Sequence, residues 1–587
     1  MKIFKKTFIL LIAISLLSGC QKNLLDTSPK TQIGSSSMWT TENLADMGVN
    51  GVYNALRYGT VGLEMYYFDD YGFTGQSRDN LALTAGTITA GDGLFSSYWQ
   101  QHYEGISRAN DAIKNLPNAP LTPEKKARLI AESKFLRAYF YYKLNQVFKG
   151  VPVYLEPVDV SKANKARETE AKVWETIVSD LTDCINEPNL PGRYIKGNAL
   201  YGRATKAAAY TLRAKVYMWT KDYAKAEADL RQVGALGHTL FQGPYKMLFK
   251  EVNEQCPEMI FSVQNIGVDG FGGDTQFYLG SRDSFGSCWN SHFPSPDHVE
   301  SFENADGSTF NWNTYIPGYN AMTPQQRVVF FLRDGLTAAE IATFTARGAD
   351  MSKYLPVGNE ARIRKAYESR DPRLTATVIT PYSGYLGAAG IVENTYTLRW
   401  PYRGFDTSAP FDLKTDTNTK YYYLYRKFVA EGASETPARN YCPWDMPLLR
   451  YADVVLLLAE AINEQQFKQE AIDLVNSVRS RAGQPILQTT NASLPTYVSG
   501  QDNLRTRIRN ERHWELTLEG VNLFDEMRWG TWKDKKFHGG DGNGMKQIWG
   551  EIDLPYSWKG DYMYKWAIPS TECQMNSNLV QNDGWIN

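Results

Sequence analysis

Apolar residues recur at helical spacing along most of this chain, in blocks separated by stretches that keep no period. From residue 41, Leu44, Met47, Val52, Ala55 and Leu56 follow the helical rhythm and predict a helix with these side chains inward. Residues 94–116 predict a second helix, with Tyr98, Ile106 and Ile113 inward. A third is announced by its ends: Thr122 caps, Pro123 suits a first turn where its missing N–H costs nothing, and Gly150 followed by Pro152 stops it. Leu129, Ser133, Leu136, Phe140 and Leu144 line one face of that helix, and Trp174, Ile177, Val178 and Leu181 line the next. Between the first two helices, residues 66–93 are rich in Gly, Asp and aromatics and read as a long loop.

Residues 203–235 predict a helical hairpin. Ala208, Ala214 and Tyr217 fall on its first arm, Lys221-Asp222 make the turn, and Tyr223, Ala226 and Leu230 follow on the second. Small residues where helices cross, with aromatics filling the gaps, are what a tetratricopeptide-like pair requires. A second hairpin is expected over 449–482, turning at Glu464-Gln465-Gln466 and stopped by Gly483 and Pro485. The pairs are not contiguous in sequence, so the pattern predicts an interrupted array rather than a plain solenoid. Between them, about 264–443, glycines punctuate aromatics and only short β-like runs occur, at 375–380 and 421–425. The fold class expected is mostly α, with a large loop-rich insertion containing short strands. Helix returns at 504–519 and 521–529.

The N-terminus departs from this pattern. Lys2, Lys5 and Lys6 precede an apolar run too short to span a bilayer, and Ser18-Gly19 sit directly before Cys20. That is the layout of a cleaved signal over 1–19, with Cys20 as a bacterial lipoprotein acylation site. Residues 20–37 are polar and carry no period, as a tether does; a single domain is expected over 38–587, its scaffold at about 38–263 and 444–587.

Charge narrows the partners. Without Lys2, Lys5 and Lys6 there are 60 basic against 64 acidic residues, a formal charge of −4, which offers no general attraction for nucleic acid. Five cysteines remain beyond Cys20, widely spaced and odd in number, so no disulfide framework is encoded. Aromatics are the compositional outlier at 13% of the chain. No His-Glu-x-x-His, Cys-x-x-Cys, Gly-x-Ser-x-Gly or phosphate loop is present, so neither catalysis nor a cofactor or metal is expected. His292 with Asp297 and His298 is a weak metal cluster, and Asp541-Gly542-Asn543-Gly544 reads as a turn because Met545 stands where a calcium loop needs a ligand. Glu511, Arg512, Glu515, Glu519, Asp525 and Arg528 recur at spacings of three and four, which predicts ion pairs along helix faces.

Ordered motifs then point to a family. Cys20 with Leu25-Asp26, the run Glu132 to Tyr139 with Gly150-Val151-Pro152, Arg370-Asp371-Pro372-Arg373, Leu449-Arg450-Tyr451-Ala452-Asp453, Asn510-Glu511-Arg512, Phe524-Asp525, Arg528-Trp529-Gly530 and Ile568-Pro569 resemble the SusD/RagB family of surface nutrient-binding lipoproteins, nearly end to end. The resemblance implies a helical scaffold beneath an irregular ligand-binding face. It also implies an outer-membrane lipoprotein facing the cell exterior, which hands ligands to a SusC-like TonB-dependent transporter. Family ligands are most often oligosaccharides and sometimes peptides.

A sugar ring presents apolar C–H faces and polar edges, so a binder needs flat aromatics beside amides, carboxylates and arginines. Two stretches hold such mixtures. One gives Tyr67, Phe73, Arg78, Asp79 and Asn80; the other gives Tyr278, Arg282, Trp289 and Asn290, with Trp312 and Tyr315 beyond. Large rings are mostly buried, so each of these has core packing as the competing role. The expected function is therefore a non-catalytic lid that captures oligosaccharides. A peptide-binding member of the same family and a helical adaptor that binds only protein are the alternatives. A surface glycosidase would need a carboxylate pair such as Asp69-Asp70 open to substrate.

Overall fold

The computed structural model describes residues 35–389, 392–404, 411–435 and 439–586. Cys20 and the first part of the expected tether lie outside the described residues. Long helices form the scaffold: Glu42–Asn54, Gly93–Asn115, Pro123–Phe148, Glu170–Asn186, Lys206–Trp219 and Tyr223–Ala235, then Tyr451–Gln465, Gln469–Ala482, Gln501–Glu515 and Asn522–Trp529. No described helix is long and apolar enough to cross a membrane.

From Gly93–Asn115 onward each helix of the first group packs on the next, and Tyr223–Ala235 packs directly on Tyr451–Gln465. The two hairpins, interrupted in sequence, are thus neighbours in one array. Alanines make the close crossings possible: Ala207, Ala208, Ala209, Ala214 and Ala226 are fully buried. Arg231 ties the seam by bonding Glu227 on its own helix and Glu470, 2.7 Å away, on the second hairpin.

The Pro123–Phe148 helix shows how local signals and packing divide the work. Its N-terminus is capped as its sequence dictates, Thr122 accepting from the Lys125 N–H at 3.3 Å. It ends at Lys149 in the left-handed conformation, followed by Gly150 at φ +106°, where a Cβ would lie 2.5 Å from the Glu168 carbonyl oxygen. Its second half, however, is buried all round rather than along one face, because neighbours cover it on every side. The first helix also departs from expectation. Ala45, Val49 and Val52 face inward, while Met47 is exposed.

The chain leaves the helical layer through strand Met259–Val263 and returns through Met446–Arg450, which pairs with it antiparallel from Met259↔Arg450 to Val263↔Met446. Leu449 therefore belongs to a strand and not to the second hairpin. The intervening region contains short helices as well as strands, among them Pro296–Ser301, Asn359–Glu368 and Pro372–Thr377. Its two β-like runs meet only at their ends, Val378↔Tyr425 and Ile379↔Leu424, since Thr375 and Thr377 complete a helix.

Charged residues weld this region to the scaffold. Glu515 receives Arg373 at 3.2 Å, Arg450 at 2.7 Å and Arg481, all buried. Burial alone would raise its pKa, but Arg481, Arg450 and Arg373 hold the carboxyl down at about 2. Arg512 bridges Asp453 at 2.7 Å and Asp525 at 2.6 Å, and Arg528 pairs with Glu460. The expected ion pairs along helix faces reduce, within that set, to Asp525 with Arg528; the other partners come from different elements. The five described cysteines are free.

Candidate functional site

The first candidate stretch is not a plain loop. It contains a 3-10 segment, Met65–Asp70, and strand Gly75–Ser77, which pairs antiparallel with His292–Pro294, register Gly75↔Pro294 and Ser77↔His292. That pairing brings the two sequence-distant stretches together. The Arg78 and Tyr278 backbones meet on Ser291, which accepts from the Arg78 N–H at 3.1 Å and donates to the Tyr278 carbonyl at 2.7 Å.

An arc of rings crosses the junction. Tyr67 meets the His292 imidazole edge-on at 5.5 Å, and Tyr278 meets the same imidazole at 6.0 Å. Phe277 packs on Tyr278 at 4.9 Å and on Trp289 at 4.6 Å. The arc is partly open: Tyr67, Phe277 and Tyr278 are half-buried, and Trp289 is 40% exposed. Asp79 and Asn80 are exposed at its edge. Asp70 holds His292 Nδ1 from beneath. Burial pushes the Tyr67 hydroxyl up to about 12, and burial together with Asp274 raises Glu64 to about 7. The hydroxyls of the arc therefore remain neutral hydrogen-bonding groups at ordinary pH.

Arg78 and Arg282 arrive from opposite stretches on one carboxylate, Asp416, with Arg78 at 2.9 Å. Asp416 is positioned in turn by Asn290, whose Oδ1 accepts its backbone N–H at 2.9 Å. Arg439 lies over the Phe277 ring at 4.9 Å. Sequence reasoning missed Asp416, Phe277 and Arg439 as members of this surface. Phe277 stood among the Gly-punctuated aromatics and could have been found, whereas nothing around Asp416 marks it before its partners are known.

Three expected contact residues do not face solvent. Phe73 is buried against His298 and His513. Asn290 is fully buried and serves the loop backbone. Trp312 is 3% exposed, its indole N–H donating to Glu300 at 2.7 Å and its ring set among Tyr319, Phe331 and Tyr367. These are packing residues, because burial leaves none of their side chains open to a ligand. Tyr315 is half-buried, stacked on Phe310 in the cluster of Trp312.

Asp69 and Asp70 are buried as well; burial raises Asp69 to about 7, and it accepts from the Leu518 N–H. His292, Asp297 and His298 diverge to Asp70, Lys546 and Thr517, and no group of three or more ligating residues that could hold a metal occurs among the described residues. A separate groove of about 380 Å³ lies on the helical layer, lined by Trp99, Tyr103, Tyr154, Pro157, Met575 and Leu579 with Glu104, Glu156 and Glu572. None of the residues expected from sequence lines it.

Fold and surface together define a helical-repeat scaffold carrying an irregular aromatic face. The chain belongs to the SusD family, whose pattern matches residues 257–585; residues 23–218 match a second family described as starch-binding and associating with the outer membrane. It is 24% identical over 607 residues to SusD-like protein P25 of Formosa agariphila, covering 98% of each chain. It is also 24% identical over 498 residues to starch-binding protein SusD of Bacteroides thetaiotaomicron, covering 79% of this chain and 74% of that one. A crystal structure of a SusD-like protein from Bacteroides fragilis superposes with a TM-score of 0.71 at 22% identity, covering 95% of this chain and all of that one.

Proposed function

We propose that this protein is a non-catalytic glycan-binding lipoprotein, anchored through Cys20 to the outer membrane and facing the exterior. It captures oligosaccharides on the Tyr67–Tyr278–Trp289 arc and delivers them to a SusC-like TonB-dependent transporter. The observation that carries this reading is the arc itself: half-open rings in a row, edged by Arg78, Asp79, Asn80 and Arg282, which is what a ring with apolar faces and hydroxyl edges requires. The family match and the starch-binding relative support it. Residues 20–37 serve as the tether. Isothermal titration against plant, host and microbial glycans tests the proposal. Micromolar to millimolar binding of an oligosaccharide is expected, and binding of peptides alone overturns the sugar assignment.

A further inference from the structure

The arc is charged unevenly. On the tyrosine side of the arc Asp79 is exposed near the Tyr67 and Tyr278 hydroxyls, and Glu64 and Asp274 lie near Tyr278. Toward Trp289, Arg439 lies over Phe277, and Arg78 and Arg282 share Asp416, whose backbone N–H is held by Asn290, the residue after Trp289. Exposed Lys414 lies beside Arg282, whose backbone N–H donates to the Lys414 carbonyl at 3.0 Å, and the Lys414 backbone N–H donates in turn to buried Asp283. Among the described residues, Asp416 is the one carboxylate paired with the Arg78 and Arg282 guanidiniums, one negative charge against two positive. Both are accessible, their side chains 27% and 30% exposed, and Asp416 is 15% exposed. Arg78 spends only Nη1 on Asp416 and Arg282 only Nε, so among the described residues their remaining N–H groups have no acceptor. A planar donor fork with free N–H groups matches the oxygens of a carboxylate or a sulfate.

We propose that this site selects anionic saccharides, with a uronate carboxylate or a sulfate ester seated on Arg78 and Arg282 while the adjoining sugar ring stacks on Trp289. The inference rests on the glycan-binding reading above. The distinguishing feature is position: Asn290, which holds the shared Asp416, directly follows Trp289, the most exposed ring of the arc.

The test is titration of the full-length protein with a panel of uronate-bearing, sulfated and neutral oligosaccharides. Each anionic member is paired with its carboxyl-reduced or desulfated counterpart, so the arms separate carboxylate from sulfate. The anionic member of a bound pair should bind at least about tenfold more tightly than its neutralised counterpart. Raising salt from about 50 to about 500 mM should erode that preference. Arg282→Gln and, independently, Arg78→Gln should bring the anionic-to-neutral affinity ratio to about one, with retention of the wild-type Tm showing that each variant is folded, and a ratio still at about tenfold in both folded variants overturns the assignment. Equal or tighter binding of neutral counterparts, or binding of neutral glycans alone, overturns the anionic selectivity and leaves the glycan reading standing. Failure to bind any saccharide overturns the reading beneath it.

Discussion

Tyr67 and His292 stand with their rings perpendicular at 5.5 Å, although more than two hundred positions separate them in the chain. This contact joins the two stretches from which the arc is built. It exists because Gly75–Ser77 and His292–Pro294 form a strand pair and because Asp70 fixes the imidazole. Arc and core therefore make different demands on the same residue type.

Trp289 and Trp312 express that difference. Trp289→Ala should lower glycan affinity at least about tenfold and leave stability within about 0.5 kcal/mol. Trp312→Ala removes a ring packed on four others and should cost about 3–5 kcal/mol of stability, with affinity retained while the protein is folded. Denaturant titration beside calorimetry separates the two. A Trp312→Ala protein that is stable but unable to bind would place the site elsewhere.

Glu515 anchors Arg373, Arg450 and Arg481, so Glu515→Gln leaves buried guanidiniums short of a counter-charge. A loss of about 3–5 kcal/mol is expected in urea unfolding. A change below about 1 kcal/mol would mean that Glu258, Glu511 and Glu519 suffice without it.

Glu526 behaves in the opposite sense. Burial raises its pKa from 4.5 to about 8, and it accepts the Phe73 N–H at 3.0 Å. The native state keeps a proton that the unfolded chain has released, so this group's contribution to stability falls as pH rises from about 4.5 through about 8. Glu526→Gln preserves the acceptor and removes the titration. Its stability should decline less over that window than the wild type's, and parallel curves from pH 5 to 9 would contradict the assignment.

Much of the scaffold is legible in the sequence because its signals are local. Thr122 with Pro123, and Gly483 at the end of the second hairpin, mark helix ends through groups within one turn. The irregular face is less legible, since three-residue strands such as Gly75–Ser77 carry no period and their pairing depends on distant segments. Trp289 and Trp312 look alike in sequence; Glu300 and the rings of Phe310, Tyr319, Phe331 and Tyr367 turn the second one inward. The spacing of Glu511, Glu515 and Glu519 points to ion pairs but not to their partners, which come from the distant Arg373, Arg450 and Lys427.

Anchoring and binding are separable in this account. Cys20→Ala should release the protein from the membrane fraction while affinity measured in solution stays within about twofold. A matching fall in affinity would show that the anchor takes part in the site.

The central claim is that the ring arc is the glycan-binding surface. Calorimetric titration of a Tyr67→Ala, Tyr278→Ala, Trp289→Ala triple variant with the best wild-type oligosaccharide tests it most directly, with Tyr103→Ala in the helical-layer groove as the control. A loss of at least about a hundredfold is expected in the triple variant under conditions where circular dichroism shows it folded, with the groove variant unaffected. Undiminished binding by the triple variant, or binding lost only on the groove substitution, would contradict it.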